Sequence, residues 1–183
     1  QDKSIVEQKV VRLETYQEEQ KTYNLVVNDT HNYFANNILV HNKICRLCFT
    51  YDTMITLSDG TYQKICKVRP GDMIKTYNED TGKLQNSKVL ETAKILHDNI
   101  VKYKFDNNTI IEATDNHPFY VVDEGYKAPL QIGDVVLNDE MNKLTLVNIE
   151  VDKKQQITYN INSTDNGKNY FANKVLVSDE SDT

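Results

Sequence analysis

One short pattern occurs twice in this chain and limits what the chain can become. Residues 22–42 read TYNLVVNDTHNYFANNILVHN, and residues 158–179 read TYNINSTDNGKNYFANKVLVSD. The two align with one inserted residue in the second turn. Each is a hairpin pattern: a strand, a polar turn, then an aromatic and aliphatic strand. A weaker similarity continues upstream, from Val10 against Leu146. Two unrelated hairpins would not be expected to share the core NYFAN. Residues 48–130 have no second copy by sequence, so a C-terminal half alone is duplicated, and one copy lies ahead of the N-terminal half. A solenoid needs several stacked units, so this is not one.

The rest of the chain also reads as strands and turns. Turn signals recur at Ser58-Asp59-Gly60, Asp80-Thr81-Gly82, Asn107-Asn108, Asp123-Glu124-Gly125 and Asn166-Gly167. Between them lie runs rich in Val, Ile, Thr and Tyr, such as Thr53 to Leu57, Ile100 to Phe105 and Leu144 to Val151. Short strands at this spacing predict an all-β domain and not a βαβ one. Helix is expected only briefly, at Tyr62 to Val68 or near Ala128 to Ile132. Residues 5–20 read equally as a helix or as a strand and turn. The net charge is −6 with no basic run, which argues against a nucleic-acid groove. No apolar run is long enough to span a membrane, and no signal peptide is visible, which leaves the compartment open. Three cysteines, two of them in Cys45-x-x-Cys48, suggest reactive or metal-bound thiols and not a disulfide scaffold.

Three segments carry the chemistry. From Cys48 the chain reads CFTYDTMITLSDGTYQKICKVRPGDMI: a Cys, an alternating strand, an Asp-Gly turn, and Gly-Asp before an aliphatic pair. Further on, ATDNHPFYV sets Thr114 and His117 in the spacing T-x-x-H. The third segment is the hairpin ending in His41-Asn42. Together they cover nearly the whole chain, and together they resemble the sequence blocks of inteins and bacterial intein-like domains of the HINT superfamily. The order departs from that family, because the His-Asn hairpin precedes Cys48. The resemblance implies an all-β HINT horseshoe of two pseudo-symmetric halves. It divides the chain into a HINT domain over 48–183 and an N-terminal extension over 1–47 that holds the duplicated hairpin.

The implied activity is autocatalytic self-processing. A peptide bond is resonance-stabilised, so cutting it without a protease requires converting it to an ester-like bond. The Cys48 thiol would attack the carbonyl of Leu47 and form a thioester with a free amine at Cys48. His117 would protonate that amine, and Thr114 would hydrogen-bond and orient the scissile amide. In inteins a terminal Asn, helped by a preceding His, then cyclises; His41 and Asn42 retain both parts. The later copy has Ser178-Asp179 there. Asp179 is a candidate in that position, but its carboxylate is a poor substitute for the amide. The family's Asp after the Tyr of this hairpin is Asn24 in the first copy and Asn160 in the second. The His before the aromatic pair survives as His31 and becomes Lys168.

No cofactor is required for this chemistry. His41-x3-Cys45-x2-Cys48 nevertheless has zinc-ligand spacing, and His117 and His31 complete a candidate set for an inhibitory or structural Zn2+. The alternative is a linker in which Cys45 does nothing. Cys66 reads as a buried core thiol, His97 as an exposed turn residue, and Glu18-Glu19 and Lys153-Lys154 as solvated turns. The implied partners are flanking extein segments of the same precursor, and by resemblance ubiquitin-like modules such as flank some ciliate relatives. A hairpin-swapped dimer stays open. The rival functions are a degenerate HINT domain serving as a zinc-binding spacer, and a Cys-His hydrolase acting in trans.

Overall fold

The computed structural model describes residues 9–12, 32–36, 38–41, 47–98 and 100–179. The chain divides into two compact units, residues 1–44 and 45–183. In the first unit, β1 (Asn32–Ala35) and β2 (Ile38–His41) form an antiparallel hairpin. Residues 9–12 carry no regular element, and the remainder of the 5–20 segment lies outside the described residues.

The second unit is built almost wholly from antiparallel strands. They are β3 (Phe49–Thr50), β4 (Met54–Thr56), β5 (Tyr62–Lys64), β6 (Met73–Asn78), β7 (Lys83–His97), β8 (Ile100–Phe105) and β9 (Ile110–Thr114). Then come β10 (Phe119–Val121), β11 (Gly125–Lys127), β12 (Val135–Leu137), β13 (Lys143–Asp152), β14 (Gln156–Thr164), β15 (Asn169–Ala172) and β16 (Val175–Ser178). Their order in the sheet is β5-β4-β15-β16-β10-β12-β13-β8-β9-β3-β14-β7-β6, with β11 paired to β10. The expected strands at 53–57, 100–105 and 144–151 correspond to β4, β8 and β13.

The backbone repeats itself where the sequence does not. The Thr53 N–H bonds to Thr50 O at 3.1 Å, and the His117 N–H bonds to Thr114 O at 3.1 Å. Both turns lead into a hairpin, β4–β5 or β10–β11. Each hairpin is followed by a Gly-Asp turn. In the first, Asp72 accepts from the Arg69 N–H and donates to Arg69 O, while the Gly71 N–H reaches Val89 O. In the second, Asp134 makes the same two bonds with Gln131, and the Gly133 N–H reaches Leu146 O. Gly71 and Gly133 have φ of +101° and +98°, a region that a Cβ disfavours, so both turns require glycine. The halves then exchange strands: β14 pairs with β3 and β7 of the first half, and β8 pairs with β9 and β13 of the second. The two pseudo-symmetric halves implied by the resemblance are therefore present. The reading that residues 48–130 have no second copy holds for side chains only. Hydrogen bonds of the main chain define these turns, and many side chains satisfy them.

The core fills the space between the halves with Phe49, Ile55, Ile74, Tyr103, Phe105, Phe119 and Leu146. The duplicated hairpins have the same register. Asn169 pairs with Ser178 and Phe171 with Leu176, as Asn32 pairs with His41 and Phe34 with Leu39. Asn173 and Lys174 both have positive φ, as a two-residue type I′ turn demands. Burial differs: Phe171 and Leu176 are fully buried, whereas Phe34 is 62% exposed and Leu39 44%. Local sequence thus sets the hairpin and its register, while its surroundings set its burial.

Four local expectations are corrected. Tyr62–Lys64 is strand, and only Ile65–Lys67 forms a 3-10 turn. That turn carries Cys66 half-exposed, outside the core. Ala128–Ile132 is not helical, because it contains the cis Ala128-Pro129 bond and the second Gly-Asp turn. His97 ends β7 half-buried, with Nδ1 2.7 Å from Thr158 Oγ1.

Candidate functional site

The site forms where three segments meet the middle of the sheet. β3 lies between β9 and β14, with Phe49 opposite Ala113 on one side and opposite Tyr159 on the other. Carried one position further, the same register sets Cys48 against Thr114 and Asn160. Directly opposed residues share a face, so Thr114, Cys48 and Asn160 form one row. Their buried position follows from the apolar strands that carry them: Leu47 and Thr114 are each 4% exposed and Cys48 not at all.

The Cys48 N–H donates to Thr114 Oγ1 at 3.1 Å, and the Thr114 N–H donates to Cys48 O at 2.9 Å. The first bond holds the nitrogen of the Leu47–Cys48 peptide. The T-x-x-H spacing is the turn itself, because the His117 N–H closes onto Thr114 O. This brings the imidazole of His117 over Phe49, with ring centroids 4.1 Å apart. Nδ1 lies 3.3 Å from Pro118 O, and Nε2 is buried without a hydrogen bond of ordinary geometry. Full burial lowers the pKa of His117 to about 3, against smaller opposing effects of Pro118 O and the Asn160 side chain. The ring is therefore neutral at physiological pH.

The end of the second hairpin enters the same region. The Ser178 N–H donates to O of Pro118, the residue after His117, at 3.1 Å. Ser178 Oγ donates to Asp179 O at 2.8 Å, and Asp179 is fully buried with its N–H on Lys168 O. The structure thus brings together Cys48, Thr114, His117 and the Ser178-Asp179 end. His31, Asn42 and Cys45 lie outside the described residues, and His41 is described only as the last residue of β2. Among the described residues no three His, Cys, Asp or Glu side chains group as metal ligands, so the zinc set depends on residues outside them.

Sequence reasoning named Asn160 but missed its partner. Tyr170 OH donates to Asn160 Oδ1 at 2.7 Å, and both side chains are buried. The signal was in the repeat: both copies keep TYN and NYF, and so keep an Asn and a Tyr at matching positions.

This fold recurs among solved proteins. A bacterial intein-like domain from Clostridium thermocellum matches with a TM-score of 0.67 and 28% identity, over 72% of this chain and 98% of that one. A DnaB intein from Synechocystis sp. PCC 6803 matches with a TM-score of 0.62 and 21% identity, over 73% and 98%. The gp41-1 intein matches with a TM-score of 0.59 and 19% identity, over the same 73% and 98%. The fold is that of the intein-like HINT domains. Residues 54–180 match the model of the pretoxin HINT domain, and the chain belongs to that family. No curated protein sequence matches the chain. Among the described residues no helix is long and apolar enough to cross a membrane, which says nothing of a β-barrel.

Proposed function

We propose that this domain cuts its own chain at the Leu47–Cys48 bond through a thioester. The observation that carries this reading is the 3.1 Å hydrogen bond from the Cys48 N–H to Thr114 Oγ1, in a site closed to solvent. It fixes the plane of the scissile amide and so the orientation of the Leu47 carbonyl. His117 is neutral and free to accept a proton, but its low pKa makes it a weak base, so the transfer accompanies attack by the sulfur. The imidazole takes the proton of the Cys48 thiol as the sulfur attacks the Leu47 carbonyl carbon. The C–N bond then breaks as the imidazolium returns the proton to the Cys48 amine. The product is Leu47 esterified to the Cys48 sulfur, which water or an external thiol releases. The flanking segments of the same precursor are the substrate. The family's pretoxin name suggests a toxin precursor as the protein being processed.

The Ser178-Asp179 end lacks the amide and imidazole that drive Asn cyclisation, so ligation is not part of this reading. Burial of Cys48 counts against a hydrolase acting on separate polypeptides. A Zn2+ on Cys45, Cys48 and histidines would hold the thiolate and restrain cleavage. The buried, unpaired His117 Nε2 is a nitrogen such an ion could use. The test is mass spectrometry of the chain incubated with dithiothreitol, with and without chelator. A fragment ending at Leu47 is expected from the wild type and not from Cys48→Ala. A spacer domain would give no fragment under any condition, and cleavage that survives Cys48→Ala would refute the proposal.

A further inference from the structure

The connection between β14 and β15 holds two residues that cleavage at Cys48 does not use. It covers residues 165–168 and lies in the turn that is one residue longer than its counterpart in the first hairpin copy. It carries Asn166-Gly167, the one Asn-Gly step in the sequence. Glycine has no side chain to screen its backbone nitrogen, so that nitrogen can approach the amide of the preceding asparagine.

The connection is stitched to β7. The Asp165 N–H donates to Lys88 O at 3.0 Å, and the Lys88 N–H donates to Asp165 Oδ1 at 2.7 Å. Asn166 O accepts twice, from Gln85 Nε2 at 3.0 Å and from Ser87 Oγ. Ser87 is buried, and its Oγ also pairs with Thr76 Oγ1 at 2.8 Å, so this donor is fixed in place. Asn166 itself is exposed, which leaves its amide open to water. Among the described residues, the Gly167 N–H has no hydrogen-bond acceptor. The Asn166 carbonyl and the Gly167 nitrogen belong to one resonant peptide unit. Donors on that oxygen therefore stabilise the anion left when the nitrogen loses its proton.

We infer that Asn166 is a self-modification site, which its own turn converts to isoaspartate. Hydroxide takes the proton of the Gly167 N–H, and the nitrogen attacks Cγ of Asn166. The Cγ–Nδ2 bond breaks, and ammonia leaves after taking a proton from water. The product is a five-membered succinimide. Water then adds to the α-carbonyl carbon of residue 166, and the bond from that carbon to the Gly167 nitrogen breaks. The chain now runs through Cβ and Cγ, and the group set free is the α-carboxylate. Its oxygen is the one that Gln85 and Ser87 already hold. Their bonds become charge-assisted and so stronger than those to the neutral carbonyl. Opening to ordinary aspartate gains nothing of this kind, because its free carboxylate lies on the exposed side chain.

The experiment incubates the full chain at mildly alkaline pH, folded in buffer and unfolded in urea. Mass spectrometry follows loss of the Asn166 amide, and electron-transfer fragmentation separates isoaspartate from aspartate. The folded chain should react roughly fivefold faster than the unfolded one, as two donors on a developing anion imply. Its ratio of isoaspartate to aspartate should also exceed that of the unfolded chain. Gln85→Met keeps the length of the side chain and removes its donor. It should bring the folded rate towards the unfolded one, with the unfolding midpoint recorded to show that the fold is kept. The comparison of folded with unfolded wild type stands without any variant. A folded chain that reacts more slowly than the unfolded chain would overturn the inference. So would a folded rate that Gln85→Met leaves unchanged.

Discussion

Lowering the pH should destabilise this protein through His117 by an amount the structure sets. The imidazole is fully buried with a pKa of about 3, against 6.5 for the same group in water. The folded pKa lies below the unfolded one. Between the two values the unfolded chain therefore binds one more proton than the native chain, and stability rises with pH. The contribution is fully present above pH 6.5, is lost as pH falls through the window, and stops falling near pH 3. Each unit corresponds to about 1.4 kcal/mol, so acidification from neutrality to about pH 4.5 should remove roughly 2–3 kcal/mol. The assay is urea unfolding at several pH values, on a Cys48→Ala background that prevents cleavage. His117→Gln removes the titrating group and leaves every other group in place, so the difference between the two curves isolates His117. The gap should narrow by that amount on acidification, whatever its value at neutral pH. Parallel curves would refute the argument, and so would an NMR titration of His117 with a midpoint near 6.5.

Other consequences follow from single contacts. Thr114→Val removes the hydroxyl that holds the Cys48 N–H and should slow cleavage on the order of a hundredfold, measured by gel or mass spectrometry. The unfolding midpoint should move little beside that loss. Asn169→Ala unpairs both backbone groups of Tyr77, which the Asn169 amide reaches at 2.8 and 2.9 Å, and should cost about 2–3 kcal/mol in denaturant unfolding. Replacing Ser178→His together with Asp179→Asn should increase release of the chain after residue 179. Efficient release of that segment by the unaltered chain would contradict the view that this end cyclises poorly.

Much of the fold was legible because its determinants are local. Strand length, turn residues and the hairpin register of NYFAN depend on neighbours along the chain, and all three could be read from it. The pseudo-symmetry of residues 50–89 and 114–146 was legible only through the family resemblance, not from a repeat in the residues themselves. Its recurring bonds join backbone atoms, and Thr53 and His117 occupy matching turn positions with unlike side chains. Only the two Gly-Asp pairs mark the correspondence in the sequence. Cys66 misled because KIC resembles a strand until the tight 3-10 turn sets its direction. In the site, Thr114 and His117 were legible because their spacing is that of the turn. Asn160 with Tyr170 was not, because the hairpin fold alone brings the two together.

The central claim is an acyl group carried on Cys48, and trapping with hydroxylamine tests it most directly. At neutral pH hydroxylamine attacks thioesters and leaves peptide bonds intact; only at alkaline pH does it cut the Asn-Gly type, which this chain has at Asn166-Gly167. The chain should release a fragment whose last residue is Leu47 as its hydroxamate, and Cys48→Ala should release none. An unchanged chain at neutral pH, or a Cys48-dependent fragment that ends at any residue other than Leu47, would contradict the account.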